Sequence, residues 1–205
     1  MANHPILHTT FTAARLHPKL QWFAPPRRWT IGGGSLTIYP DGETDFWCKT
    51  HYGFEADNGH FLFTEAASDF VLATHVRFQP RHQYDQAGLM VRVSPDCWLK
   101  TSVEYESEHE PSKLGVVVTN FGYSDWSTQN YTGQTNTIDL RVRRVGSDYH
   151  VEFLDHVSGE WTQLRMAHLH GDEGGPVQCG LYACSPKEGG FVAEFDFLSV
   201  VEPAA

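Results

Sequence analysis

The segment Cys97-Trp98-Leu99-Lys100-Thr101-Ser102-Val103-Glu104-Tyr105-Glu106 alternates without a break. Strand side chains point to opposite faces with period two, so Cys97, Leu99, Thr101, Val103 and Tyr105 share one face and Trp98, Lys100, Ser102, Glu104 and Glu106 the other. The first face reads as core. The second sets an indole, an ammonium and two carboxylates on one plane, more chemistry than a solvated outer sheet face needs. This strand therefore predicts a β fold and a site on its polar face, with Trp98, Lys100 and Glu104 partly exposed and Leu99 and Val103 buried behind them.

The same pattern extends along the chain. Strand-like runs occur at residues 35–39, 60–64, 70–78, 88–93, 114–121, 137–145, 149–154, 177–184 and 191–201, and no long stretch keeps a helical period. Between them stand Gly32-Gly33-Gly34, Asp57-Asn58-Gly59, Ser94-Pro95-Asp96, Gly146-Ser147-Asp148 and Gly189-Gly190, residues suited to positive φ or preset turns. Many short strands with alternating faces predict an all-β, two-sheet antiparallel β-sandwich, one domain over residues 1–205. Its core rows are Phe70, Leu72, Val76 and Phe78; Leu89, Val91 and Val93; Leu114, Val116 and Val118; and Phe191, Ala193, Phe195 and Phe197.

The 205 residues carry 15 Lys and Arg against 25 Asp and Glu, a formal charge of −10. That balance argues against nucleic acid or an anionic membrane as partner and favours a neutral or cationic ligand. The start, Met1 to Leu20, lacks the basic and apolar blocks of a signal peptide, and no run approaches membrane-spanning length, so a cytoplasmic protein is expected. Cys48, Cys97, Cys179 and Cys184 fit no zinc spacing and are expected as free thiols. No GxSxG, GxxxxGK[ST] or GxGxxG motif is present, which removes serine hydrolases, P-loop enzymes and Rossmann enzymes. No cofactor is expected. His168, His170 and Asp172 are a weak metal pattern and Asp57 and Asp172 ordinary turn residues, so no metal site is assigned.

Five strings carry a resemblance: TDFWCKTHYGF (residues 44–54), DNGHFLF (57–63), YDQAGLMVRV (84–93), WLKTSVEYE (98–106) and VVVTNFGYSDWS (116–127). Together they resemble the regulation-of-enolase protein family, a group with a concanavalin A-like fold, over residues 20–202. The resemblance implies a jelly-roll sandwich and a regulatory link to a metabolic enzyme such as enolase, with no agreed catalytic residues. By fold analogy, sandwiches of this kind hold carbohydrate on a concave sheet face.

On that face the expected ligand is a saccharide or polyhydroxylated small metabolite, since indoles stack on the apolar faces of sugars while acids and amides bind hydroxyls. The expected binding residues are Trp47, His75, Arg92, Trp98, Lys100, Glu104, Asn120, Asp125 and Trp126, with Tyr52 and Tyr123 as further aromatics. Trp98 and Trp126 would stack, Glu104 and Asp125 accept, and Lys100, Arg92 and Asn120 donate. Residues 120–127 read as a loop presenting Asp125 and Trp126. The alternative is a glycoside hydrolase using Glu104 and Glu106, which stand two apart on one strand face. Such hydrolases usually interpose an aspartate that orients the nucleophile, and Tyr105 points to the wrong face to serve, so binding without cleavage is the reading taken.

Overall fold

Phe70, Leu72, Thr74, Val76 and Phe78 are buried while Val71, Ala73, His75 and Arg77 are only partly so, and this alternation makes their strand the spine of one sheet. The structure is a computed structural model and describes residues 5–133 and 135–203. In chain order the strands are β1 (Pro5–Thr9), β2 (Gln21–Phe23), β3 (Arg28–Gly32), β4 (Ser35–Tyr39), β5 (Phe46–Cys48) and β6 (Glu55–Asp57). Next come β7 (His60–Ala66), β8 (Phe70–Gln79), β9 (Gln86–Ser94), β10 (Cys97–Glu104), β11 (Lys113–Asn120) and β12 (Tyr123–Asn130). The last are β13 (Thr137–Val145), β14 (Asp148–Asp155), β15 (Glu160–His168), β16 (Val177–Cys184), β17 (Val192–Phe195) and β18 (Leu198–Val201).

All strand pairs are antiparallel, and they build two large sheets. Nine strands form one, in the order β15-β14-β13-β8-β17-β4-β3 with β18 beside β8 and β1 beside β18; seven form the other, β12-β11-β10-β9-β16-β7-β2. The two pack face to face over Leu72, Val76 and Leu140 from the first and Leu89, Leu99 and Leu181 from the second, all fully buried. Each such side chain contributes roughly 1.5–3 kcal/mol on burial. The antiparallel sandwich expected from the alternation is thus the fold. The Gly146-Ser147 turn joins β13 to β14 with Val145 opposite Asp148.

The expected single strand at residues 191–201 is two. β17 pairs with residues 76–79 of β8 and β18 with residues 71–73 on the same edge. Between them Asp196 N bonds His75 O and Phe197 O accepts the Thr74 hydroxyl at 2.6 Å, so the kink keeps its backbone satisfied. Residues 120–127 were expected as a loop, but from Tyr123 onward they belong to a strand, β12 (Tyr123–Asn130). Their side chains are mostly polar because β12 is the edge of its sheet.

A third, two-stranded unit positions the site. β5 and β6 form a strap that lies on the outer face of the seven-stranded sheet. Its Phe46 and Trp47 pack with Phe61, Met90, Trp98, Val117 and Tyr182 into a second apolar cluster on the far side of the sheet from the main core. Gly59 permits that approach, since a Cβ there would meet the Phe46 ring at 2.4 Å. Among the described residues no helix is long and apolar enough to cross a membrane.

Candidate functional site

The period-two reading of β10 assigns the faces correctly, but of the three residues expected to be partly exposed only Glu104 is so. Leu99 and Val103 are buried in the sandwich, while Trp98 and Lys100 point the other way, at 1 % and 3 % exposure. The strap covers them. Trp98 lies 6.1 Å from the Phe46 ring and donates its indole N–H to Pro95 O at 3.1 Å, so it has no free face on which to stack a ligand.

The strap is pinned to the sheet by two ion pairs at its open end, where Phe46 pairs with Asp57. Lys100 Nζ meets Asp45 Oδ1 at 2.9 Å, and Arg92 meets both oxygens of Asp57 at 2.8 Å. Burial pulls the Lys100 pKa down, but Asp45, with Cys184 and Glu104, outweighs it and holds the ammonium above its ordinary value. Cys48 N donates to Ser124 Oγ at 2.9 Å, and Thr44 and Ser185 exchange hydrogen bonds at the other edge.

Where the strap ends, a cavity of about 290 Å3 opens between it and the sheet. Lys100 and Glu104 of β10, Gln86 of β9 and Val117 of β11 supply its floor, with Asp45 beside them. Trp47, Tyr52 and Phe54 of the strap, Trp126 of β12 and Tyr84 give aromatic walls, and Lys187 stands at the mouth over the Tyr84 ring, 5.4 Å from its centroid. Trp47 and Trp126 meet edge to face at 6.5 Å, and Tyr52 packs on Trp47 at 5.5 Å. Gly115 makes room for Trp126, because a Cβ there would reach its Nε1 at 3.1 Å.

Three non-glycine residues around this cavity hold left-handed φ: Lys49 (52°), His51 (61°) and Tyr84 (73°). Each such conformation costs on the order of 1 kcal/mol or more and persists only where its surroundings impose it. In the strap turn those surroundings are the Lys49 N to Phe54 O and Gly53 N to Lys49 O bonds, with Trp47 Nε1 donating to Thr50 O at 3.1 Å. The turn thereby presents Tyr52 and Phe54 over the cavity.

Glu104 is the chemically distinctive group. Burial first of all raises its pKa from 4.5 to about 8; Lys100 opposes this, and Asp45 and Glu106 add to it. Among the described residues its carboxyl receives one hydrogen bond, from Gln86 Nε2 to Oε2 at 2.8 Å. The other carboxylate of the cavity, Asp45, is held by Lys100.

Of the expected site residues, Trp47, Lys100, Glu104 and Trp126 line this cavity, and so does Tyr52. The remaining ones do not. His75 belongs to the other sheet, bonded to Asp139 at 3.1 Å, so it makes no common surface with Trp98. Arg92 is spent on Asp57. Asn120 ties the sandwich end, donating to His168 O and accepting from His170 N at 2.9 Å each. Asp125 lies on the opposite face of β12 from Trp126, paired with Arg165 at 2.9 Å. Glu106 lies past the end of β10, bonded by Gln83 at 3.0 Å, and Tyr123 sits beneath Lys49. Asp45, Phe54, Tyr84, Gln86 and Lys187 were not anticipated; the Phe46-Trp47-Cys48 run followed by Tyr52 and Phe54 was the available signal. His168 contacts Asp148, and Asp172 is buried against Arg144 and Tyr149, so they form no common cluster.

A family profile described as "Protein of unknown function (DUF1349)" matches residues 22–203. The chain belongs to that family. It is 35% identical over 182 residues to the Saccharomyces cerevisiae protein named Regulation of enolase protein 1, covering 89% of each. The crystal structure of a functionally unknown S. cerevisiae protein superposes with a TM-score of 0.83 at 32% identity, covering 91% of this chain and 98% of that one. The GH43 BlXynB protein from Bacillus licheniformis shares the fold with a TM-score of 0.72 at 17% identity, over 96% of this chain but 39% of that one. The CBM2 module of the evolved Dit of Lactobacillus casei BL23 phage J-1 shares it with a TM-score of 0.65 at 8% identity, over 99% and 98%.

Proposed function

We propose that the protein is a lectin-like, non-catalytic binder of a saccharide or similar polyhydroxylated metabolite, held in the cavity between strap and sheet. The observation that carries this reading is the pairing of aromatic walls, Trp126, Trp47 and Tyr52, with a polar floor of Gln86, Lys100 and Glu104. Aromatic faces suit the C–H faces of sugar rings, and the floor groups suit their hydroxyls. At about 290 Å3 the space is at the lower edge of small-molecule sites, which span about 300–1,000 Å3. The strap crosses the rest of the face, so one or two rings fit and the interior of a long glycan does not. The four buried free thiols suit a reducing compartment, in keeping with a cytoplasmic setting.

Cleavage is disfavoured because Glu106 stands outside the cavity and the second carboxylate inside it, Asp45, is neutralised by Lys100. A second reading, a regulatory protein that binds a metabolic enzyme such as enolase, rests on the name of the yeast relative. Calorimetric titration with a panel of mono- and disaccharides separates the readings. Binding that Trp126→Ala weakens about tenfold, without loss of folding, supports the saccharide site. Absence of any sugar binding, together with stable association with purified enolase, replaces it with the regulatory one.

A further inference from the structure

The hydrogen bonds behind Glu104 determine what it can offer a ligand. Tyr182, fully buried on β16, donates its hydroxyl to Gln86 Oε1 at 3.1 Å. That contact orients the Gln86 amide, whose Nε2 then donates to Tyr84 O at 3.1 Å and to Glu104 Oε2 at 2.8 Å. Oε2 is therefore used as an acceptor from behind. Oε1 has no protein partner among the described residues, and Glu104 is partly exposed and lines the cavity.

We propose that the cavity recognises a saccharide derivative carrying an oxyanion, a carboxylate or a phosphate, with Glu104 Oε1–H as hydrogen-bond donor, Gln86 and Tyr182 as positioning residues, and Lys187 as the counter-charge at the mouth. This rests on the saccharide reading of the same cavity and adds the ligand's charge to it.

The electrostatics agree with the geometry. Lys100, the cation nearest in sequence on the same face, is spent on Asp45. Around Glu104 stand Asp45 on the strap, Glu106 beyond the end of β10, Lys113 opposite it on β11, Tyr182 and Cys184 on β16, and Tyr84 and Lys187 at the mouth. Burial and the two neighbouring carboxylates keep Glu104 neutral at neutral pH, since its pKa stands at about 8. The cavity lining then holds two ammonium groups and one carboxylate, a net positive site on a chain whose formal charge is −10. Among the described residues Lys187 has no ion-pair partner and is exposed. The whole-chain charge favoured a neutral or cationic ligand; the local charge at this cavity points the other way. An anionic acceptor gains a hydrogen bond from a neutral acid and would be repelled by its ionised form.

The test is calorimetry with three probes, glucose, glucuronate and glucose 6-phosphate, on the wild-type chain and on Glu104→Gln, Tyr182→Phe and Lys187→Ala. At least one anionic probe should bind about tenfold or more tighter than glucose, glucuronate alone marking a carboxylate site and glucose 6-phosphate alone a phosphate site. Lys187→Ala should weaken only the anionic probe. Wild-type affinity for it should fall as pH rises through about 8, because Glu104 then ionises. Glu104→Gln keeps an N–H donor and cannot ionise, so it should retain affinity and lose that pH dependence. Tyr182→Phe should weaken the anionic probe several-fold while Lys187→Ala unfolds like wild type. Glucose binding as tightly as both anions, or an affinity unchanged between about pH 6 and about pH 9.5, overturns the inference and leaves the saccharide reading standing. If none of the three binds, the inference falls, and the saccharide reading is decided by the panel of mono- and disaccharides.

Discussion

Replacing Asp45 with alanine tests the pin that holds the strap over the site. Lys100 is 3 % exposed and Asp45 Oδ1 is its ion-pair partner at 2.9 Å; the same oxygen accepts Phe46 N at 2.8 Å. Removing one member of a buried pair leaves an uncompensated charge and costs about 3–5 kcal/mol. At about 2–4 °C per kcal/mol for a chain of this size, Tm should fall by roughly 6–20 °C. Lys100→Met keeps the stem and removes the charge, so it should cost less, and Asp45→Ala with Lys100→Met should be more stable than Asp45→Ala alone. Urea unfolding followed by tryptophan fluorescence supplies all three values, with unchanged m confirming that stability alone has moved. The cycle should give a coupling of about 2 kcal/mol or more. An Asp45→Ala cost below about 1 kcal/mol, or a double variant no better than the single, refutes the pin.

Two further outcomes follow. Glu104 has a folded-state pKa raised from 4.5 to about 8, so the folded protein holds a proton that the unfolded chain releases across that interval. Stability should therefore decline as pH rises from about 4.5 to about 8, and Glu104→Gln, measured by urea midpoints, should remove that share of the slope. All four cysteines are free and buried, and burial pushes the Cys179 thiol up to about 12. A thiol reagent at neutral pH should leave Cys179 and Cys184 unreacted in the native protein and titrate all four once it is unfolded; prompt native reaction at Cys179 would contradict the packing.

The alternation of residues 97–105 made the face assignments legible, since Leu99 and Val103 are where period two puts them. Their neighbours' burial was not legible. Lys100 and Arg92 look like solvated charges along the chain, but their partners Asp45 and Asp57 lie 55 and 35 residues away on a strap of two three-residue strands, too short to show a period. His75 alternates just as Lys100 does, yet nothing local says which sheet a strand joins. Trp126 and Asp125 were separable in principle, because strand neighbours face opposite ways. The polar composition of an edge strand hid β12 as a loop. Tyr84 and Lys187 reach the cavity only because β9 begins where β16 ends, a register fact with no local signal.

We propose that the cavity between strap and sheet holds a saccharide. The most direct measurement is a crystal structure of the protein grown with the tightest-binding sugar of the panel. The account predicts one or two rings against Trp126 and Tyr52, with a polar atom of the ligand within hydrogen-bond distance of Glu104 Oε1. A sugar bound elsewhere on the surface, with this cavity occupied only by water, would contradict it.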